Sequence, residues 1–178
     1  MLHTVSRSML TDWSQATAML TTTRIHIAAV LLLASVTGGG QACSNEWTSF
    51  AGSCYLLGTD AVTWTDAEGM CRLLSANLVE ITSKEESDFI SRFLSGHSAI
   101  STWIGATDIF SEGKFVWMPE GEPVNFTNWA PGEPNHNTGT GSEDCVILDE
   151  NRSWHWNDIA CTTAAYFVCE MSDLSIVG

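Results

Sequence analysis

The segment EDCVILDENRSWHWNDIAC, from Glu143 to Cys161, decides how this 178-residue chain folds. Two cysteines bracket its main part, and the apolar run that begins at Cys145 predicts a short strand. The second half carries the triplet Trp156-Asn157-Asp158, in which an aromatic residue precedes an amide and a carboxylate. The segment therefore predicts a disulfide-framed strand region that presents oxygen ligands.

A second triplet upstream, Glu133-Pro134-Asn135, adds another carboxylate and another amide. Together with Glu143, the two triplets place five oxygen-bearing side chains around one proline, without thiolate or imidazole. These are the ligands that a hard cation such as Ca²⁺ takes. A carboxylate accepts from a sugar hydroxyl while an amide donates to one, so the same side chains can hold an ion and two hydroxyls. The pattern predicts calcium-dependent carbohydrate binding.

The amino-terminal residues, 1–42, have the form of a secretory signal peptide. Arg24 precedes a stretch of twelve mostly apolar residues, and small residues follow it. Twelve residues are too few to span a bilayer but fit a signal-peptide core. Met9 or Met19 as the true start, and a short uncleaved anchor, remain open alternatives. We expect a secreted, extracellular domain of residues 43–178, without a membrane span once the signal is removed.

The cysteines all lie beyond that segment. They are even in number, which in a secreted chain predicts three disulfides, and the sequence alone allows fifteen pairings. A zinc site is disfavoured, because no cysteines form a Cys-x-x-Cys pair and His97, His136 and His155 show no ligand spacing.

The charge of the chain narrows the class of partner. Beyond residue 42 it has five Lys and Arg residues against twenty Asp and Glu residues. Such an acidic surface repels phosphate backbones, which excludes nucleic acid as a partner. The charge is compatible with cation binding, although most of these carboxylates serve solubility.

Local patterns predict an α+β domain, with helices first and strands after them. A hairpin is expected between Cys43 and Leu57. Capping-box patterns at Thr65-Asp66-Ala67-Glu68 and Ser83-Lys84-Glu85-Glu86 predict the starts of two helices. The predicted strands lie at Trp103–Gly105, Lys114–Trp117, Cys145–Leu148 and Tyr166–Cys169.

The segment between Trp117 and Cys145 is long and rich in Pro, Gly, Asn and Thr. A loop of that length in a compact domain carries function or is held by a ligand, and a calcium ion would hold it. Most tryptophans are expected in the core, and Trp154 is expected to be exposed. The predicted core tryptophans are Trp64, Trp103, Trp117 and Trp156.

From Cys43 to Glu170 the chain resembles a C-type lectin-like domain. The resemblance is carried by the cysteine layout and by the motifs WIGA (103–106), EPN (133–135), EDC (143–145), WND (156–158) and YFVCE (166–170). It implies the long form of a double-looped fold, with two helices flanking small antiparallel sheets. It also implies the disulfides Cys43–Cys54, Cys71–Cys169 and Cys145–Cys161.

The same resemblance implies a principal calcium site whose side chains, except Asp158, also bind sugar. A cis peptide bond before Pro134 is implied, and Trp156 would anchor the strand below the site. The implied calcium ligands are Glu133, Asn135, Glu143, Asn157 and Asp158.

An auxiliary calcium site occurs in some members of this family, and Asp108, Glu112 and Asp144 match it. However, His136 stands where an acidic residue is expected. Because a neutral imidazole is a poor calcium ligand, the sequence argues against this auxiliary site.

The acid-first order of Glu133 and Asn135 implies mannose-type ligands, which have equatorial 3- and 4-hydroxyls or an equivalent pair. These are mannose, glucose, N-acetylglucosamine and fucose, on cell surfaces or glycoproteins. Asn137 stands where galactose-binding members carry an aromatic residue, which agrees with that expectation. A role in innate immune recognition rests on family analogy, and a homo-oligomer would supply multivalency.

Two alternatives compete with this hypothesis. The first is a lectin-like domain that binds a protein, ice or another non-sugar ligand, as several members of the family do. A hydrolase using Glu133 and Glu143 is disfavoured, since residues committed to calcium do not shuttle protons; we expect no enzymatic activity. Asn125 and Asn151 begin N-glycosylation sequons. Asn125, in the long loop, is the favoured site, because a glycan on Asn151 would crowd the ligand.

Overall fold

The computed structural model describes residues 43–136 and 141–173. The predicted signal segment 1–42 and Asn137 lie outside the described residues. The described chain contains two α-helices, α1 (Trp64–Leu73) and α2 (Lys84–Gly96). Its strands are β1 (Thr48–Phe50), β2 (Ser53–Val62), β3 (Asn77–Leu78), β4 (Thr102–Thr107), β5 (Val116–Trp117), β6 (Glu122–Pro123), β7 (Cys145–Asp149), β8 (His155–Ile159) and β9 (Ala165–Ser172).

The two ends of the domain meet in the sheet. Strand β2 pairs antiparallel with β9, and β1 forms the predicted hairpin with β2. Beyond β9 the order continues through β4, β5 and β6, while β7 pairs with both β4 and β8. Apart from the parallel β4–β9 contact, the pairings are antiparallel. This confirms the predicted α+β class with two helices and antiparallel strands.

Three disulfides fix this arrangement, with the pairing that the family resemblance implied. Cys43–Cys54 closes the first hairpin, and Cys71–Cys169 joins α1 to β9 across a sequence separation of 98 residues. Cys145–Cys161 brackets the β7–β8 hairpin. By closing loops in the unfolded chain, each cross-link stabilises the folded state by an amount on the order of 3 kcal/mol.

The first helix begins two residues earlier than predicted. Its N-cap is Thr63, whose hydroxyl accepts a hydrogen bond from the backbone N–H of Asp66, rather than Thr65. The reason is Trp64, which is buried at the first helical position and donates its indole N–H to the Ile104 carbonyl at 2.9 Å. The helix ends at its C-cap residue Leu74, whose side chain is exposed.

The second helix begins as predicted, with Ser83 as its N-cap. The Glu86 carboxylate does not accept the hydrogen bond from the N-cap N–H that a capping box would have. It accepts from the backbone N–H of Thr82 at 2.8 Å and from the Tyr55 hydroxyl at 2.7 Å. This side chain therefore ties α2 to β2 in addition to ordering the start of the helix.

The predicted core tryptophans Trp64, Trp103, Trp117 and Trp156 are all buried. The prediction for Trp154 is wrong, because this side chain is half-buried and donates to the Ser95 hydroxyl at 2.7 Å. The strand predicted at Lys114–Trp117 keeps only its last two residues, Val116–Trp117. Lys114 belongs to the preceding turn, where its N–H donates to the Ser111 carbonyl.

A cluster of carboxylates lies where β2, β9 and α2 meet. The Glu80 backbone N–H donates to Glu170, and the Tyr55 hydroxyl lies 3.4 Å from the same carboxylate. Burial, together with the negative charges of Glu120 and Glu170, raises the pKa of Glu80 to about 7. Burial also raises the pKa of Glu170.

This cluster predicts that stability falls as the pH rises. The pKa of Glu80 is higher in the folded than in the unfolded chain, so its ionisation costs stability between about pH 4.5 and pH 7. Glu80→Gln should raise the free energy of unfolding at pH 8 by about 1 kcal/mol, allowing for solvent screening of this half-exposed group, and change it little at pH 4.

The measurement is denaturant unfolding in EDTA at both pH values. Glu85→Gln, an exposed change on α2, controls for the loss of one negative charge and should give a smaller gain. Equal effects of Glu80→Gln at pH 4 and pH 8 would contradict the assignment.

Candidate calcium and carbohydrate site

The β7–β8 hairpin presents one half of the predicted site. In its register Val146 lies opposite Asp158 and Ile147 lies opposite Asn157. Trp156 is fully buried below these residues and makes edge-on contacts with neighbouring aromatic rings, as the anchoring role implied. Asp158 is buried, with only 1% of its surface exposed, and Asn157 is half-buried. The hairpin thus holds two oxygen-bearing side chains on a rigid strand.

The long loop returns to the same strand. Trp156 donates its backbone N–H to the Asn128 carbonyl, and Ala130 donates to the Trp156 carbonyl at 2.8 Å. Beyond this point the Glu133–Pro134 peptide bond is cis, as the resemblance implied. Backbone pairing of the loop with β8 therefore delivers the Glu-Pro-Asn triplet to the strand that carries Asn157 and Asp158.

The Asp158 carboxylate joins the two halves. Its Oδ1 accepts from the backbone N–H of Asn135 at 3.1 Å, and its Oδ2 accepts from that of His136 at 3.0 Å. A buried carboxylate needs such donors, because an unpaired buried charge is costly. The two hydrogen bonds therefore fix the loop directly after the triplet.

Glu133 and Asn135 are in direct contact. The Asn135 Nδ2 donates to Glu133 Oε2 at 2.5 Å, and the Arg152 guanidinium pairs with Glu133 Oε1. Arg152 also lies 3.3 Å from an Asp149 oxygen. Arg152 could not be predicted as a site residue, because the sequence does not show that the short helical turn at 150–152 faces the triplet.

The two remaining predicted ligands are Asn157, which adjoins Asp158 in β8, and Glu143. The Asn157 Oδ1 atom is buried and has no hydrogen-bond partner. Glu143 lies two residues before β7 and is half-buried. The donor set contains only carboxylate and amide oxygens, and it includes a buried oxygen that lacks a partner. These residues fit a calcium ion, which would neutralise Glu133, Glu143 and Asp158 and accept the Asn157 oxygen.

The predicted auxiliary residues are only partly brought together. Asp108 is fully buried and accepts the Gly113 N–H at 2.8 Å, and Glu112 lies near it. Asp144 offers its backbone carbonyl to Asp108, while its carboxylate accepts from the Ser142 hydroxyl. Burial raises the pKa of Asp108, and the charges of Glu112 and Asp144 raise it further.

His136 enters this same cluster. Its Nδ1 lies 2.5 Å from Glu112, 3.9 Å from Asp108 and 3.5 Å from Asp158. His136 therefore lies among three carboxylates, although its position in the sequence shows no metal-ligand spacing. Spacing along the chain could not reveal it, because the partners come from a separate loop at 108–112.

Asn125 and Asn151, which begin the two sequons, are both exposed. Their glycosylation remains a prediction. Within the described ranges, no helix has the length and apolarity needed to cross a bilayer.

Comparison with known proteins gives the family. The model of the lectin C-type domain matches residues 60–171. The mouse carbohydrate-recognition domain of scavenger receptor C-type lectin superposes with a TM-score of 0.68 at 34% identity, over 73% of this chain and 98% of that chain. The cow C-type carbohydrate-recognition domain of CD23, in the presence of GlcNAc2Man3 oligosaccharide, gives 0.65 at 37% identity, over 73% and 95%. The chain belongs to the C-type lectin domain family.

Among curated relatives, the low affinity immunoglobulin epsilon Fc receptor of Mus musculus is 40% identical over 129 residues, 72% of this chain and 37% of that protein. The chain spans less than half the length of the first curated relatives it matches.

The ion pair at Glu133 generates a prediction for calcium binding. Arg152 pairs with Glu133, a predicted calcium ligand, and would repel an incoming Ca²⁺ ion, so Arg152→Ala should tighten calcium binding roughly fivefold. A fivefold change corresponds to about 1 kcal/mol, the order of magnitude expected when a nearby unit charge repels a divalent ion in a water-like dielectric.

Calorimetric titration with Ca²⁺ measures the effect. Arg72→Ala, which removes an exposed guanidinium from α1, is the matched control and should leave the Kd unchanged. Weaker calcium binding by Arg152→Ala would show that the guanidinium supports the loaded site instead of competing with the ion.

Proposed function

We propose that this C-type lectin domain binds mannose-type glycans through a calcium ion held by Glu133, Asn135, Glu143, Asn157 and Asp158. The observation that carries the proposal is the pair of hydrogen bonds from Asn135 and His136 to Asp158. They bring the acid–amide pair of the loop to the acid–amide pair of the strand. The proposal requires only this one calcium site and does not depend on the auxiliary residues.

The polarity of the triplet supports the choice of sugar. A hydroxyl that coordinates calcium donates its proton to a carboxylate and accepts from an amide, so the order of Glu133 and Asn135 selects the hydroxyl geometry. The acid-first order suits the equatorial 3- and 4-hydroxyls of mannose, glucose and N-acetylglucosamine, or the equivalent pair of fucose. The cow CD23 domain, a similar structure, was determined in the presence of an oligosaccharide that contains mannose.

Exposure of the site governs affinity. Asn135 is exposed, whereas the side chain of Glu133 pairs with Arg152 and is only 3% exposed. A shallow site of this kind binds a single sugar weakly, so useful binding requires several sites at once. We propose that the protein is secreted and acts on glycans of cell surfaces or glycoproteins, as a homo-oligomer, in innate immune recognition.

A protein ligand is the second candidate. It is favoured by the similarity to the mouse receptor named for immunoglobulin epsilon Fc. A hydrolase is not supported, because Glu133 and Glu143 are the proposed calcium ligands, and carboxylates committed to an ion do not shuttle protons.

Retention on mannose-agarose tests the proposal. The secreted protein should be retained with Ca²⁺ and released by EDTA, because the ion is part of the sugar site. Asn135→Ala should fold but lose retention, whereas Asn125→Gln, an exposed amide of the same loop, should be retained. Folded protein that binds Ca²⁺ but not the resin would favour a protein ligand.

The triplet order gives a separate prediction. Glu133→Gln combined with Asn135→Asp reverses acid and amide and should make galactose a better competitor than mannose, measured by inhibition of binding to a mannosylated surface. If mannose remains the better competitor for a variant that still binds calcium, hydrogen-bond polarity does not set the specificity here.

A further inference from the structure

Asp108, Glu112 and His136 form a compact group next to the predicted calcium site. One ligand atom from each lies within 4.8 Å of the others. The His136 Nδ1 atom lies 2.5 Å from Glu112 Oε1 and 3.9 Å from Asp108 Oδ2. Both distances are within the roughly 4.2 Å that two ligands of one zinc ion can span. The group thus has the dimensions of a metal site.

A second observation points to a missing ligand. The Asp108 side chain is completely buried, and its Oδ1 atom has no hydrogen-bond partner. The His136 Nδ1 atom is also buried and makes no hydrogen bond of regular geometry, in spite of its closeness to Glu112. Buried polar atoms are nearly always satisfied by a partner, a water molecule or an ion. Here the unsatisfied atoms belong to two side chains of the same group.

The chemistry of this group does not fit calcium. Calcium takes six to eight oxygen ligands, and imidazole nitrogen is not among its usual donors. Asp144, the third acidic residue expected of an auxiliary calcium site, directs its carboxylate to Ser142 and not into the group. One imidazole and two carboxylates are instead a donor set of borderline transition metals, with zinc as the common case.

We propose that Asp108, Glu112 and His136 form a transition-metal site of the zinc class, adjacent to but distinct from the calcium site. Three protein ligands leave a fourth position to solvent, which reaches the group through Glu112, whose side chain is 61% exposed. Metal binding here does not depend on sugar binding, so it stands or falls separately from the proposed function.

The location gives the metal a structural effect. The His136 backbone N–H donates to Asp158 Oδ2, and its ring lies 3.5 Å from the same oxygen. An ion on the His136 ring would fix this residue and, through it, the loop that carries Asn135. Zinc should therefore protect the loop even when calcium is saturating.

Calorimetric titration with Zn²⁺ in saturating Ca²⁺ tests the site on the full secreted protein. One ion per chain is expected. His136→Gln should weaken zinc binding by roughly tenfold or more, since the loss of even the outer partners of metal ligands has an effect of that size. His97→Gln, a change at the end of α2, is the matched control and should bind zinc as the unaltered chain does.

Two further readouts keep the test decisive. Glu112→Gln changes an exposed side chain and should weaken zinc binding while the calcium Kd stays the same. Co²⁺ used as a probe should give a visible absorption spectrum that His136→Gln abolishes. Absence of zinc binding, or zinc binding that is unaffected by both His136→Gln and Glu112→Gln, would overturn the proposal.

Discussion

The structure of the site depends on the carboxylate of Asp158. It is buried at the end of β8 and accepts backbone N–H groups from Asn135 and His136. A buried carboxylate without such donors would be strongly destabilising, so the loop and the strand stabilise each other. The disulfide between Cys145 and Cys161 restrains the hairpin on which Asp158 sits. The position of the Glu-Pro-Asn triplet follows from these constraints.

Negative charge is compensated locally around this point. Arg152 pairs with both Glu133 and Asp149, and His136 lies among Asp108, Glu112 and Asp158. The Arg152 guanidinium thus lies next to the triplet, and the His136 imidazole lies next to the Asp108–Glu112 loop. Elsewhere, on the face formed by β2, β9 and α2, the carboxylates of Glu80, Glu86 and Glu170 are linked through hydrogen bonds and burial, and none of them forms an ion pair with a basic residue in the described part of the chain. Carboxylates at the candidate site therefore contact basic side chains, whereas those on the face of β2, β9 and α2 are accommodated by hydrogen bonds and raised pKa values.

Sequence reasoning succeeded where a pattern is local. The Ser83 cap, the core tryptophans and the cis bond before Pro134 follow from short motifs or from the family resemblance, and the structure contains them. It was less accurate where tertiary contacts override local preference. Helix α1 begins at Trp64 and not after Thr65. Burial of the Trp64 indole and its hydrogen bond to the Ile104 carbonyl outweigh the local capping preference of Thr65.

The contacts at the site that were not predicted share one cause. Arg152 and His136 acquire their partners only when separate loops meet, so neither spacing nor composition identifies them. Trp154 was misjudged for the same reason, since its hydrogen bond to Ser95 reaches across to α2. The ligand triplets could be predicted because their residues are consecutive. The groups that modify the site are assembled from distant parts of the chain.

The central claim is that one calcium ion forms part of the sugar-binding surface. The most direct measurement is the calcium Kd by calorimetry, with and without saturating methyl α-mannoside. Binding linkage requires that the mannoside tighten calcium binding by the same factor by which calcium tightens mannoside binding. If the ion contacts the sugar, the calcium Kd should be lower with the mannoside, and the matching galactoside should have a smaller effect. A calcium Kd that is identical with and without bound mannoside would contradict it.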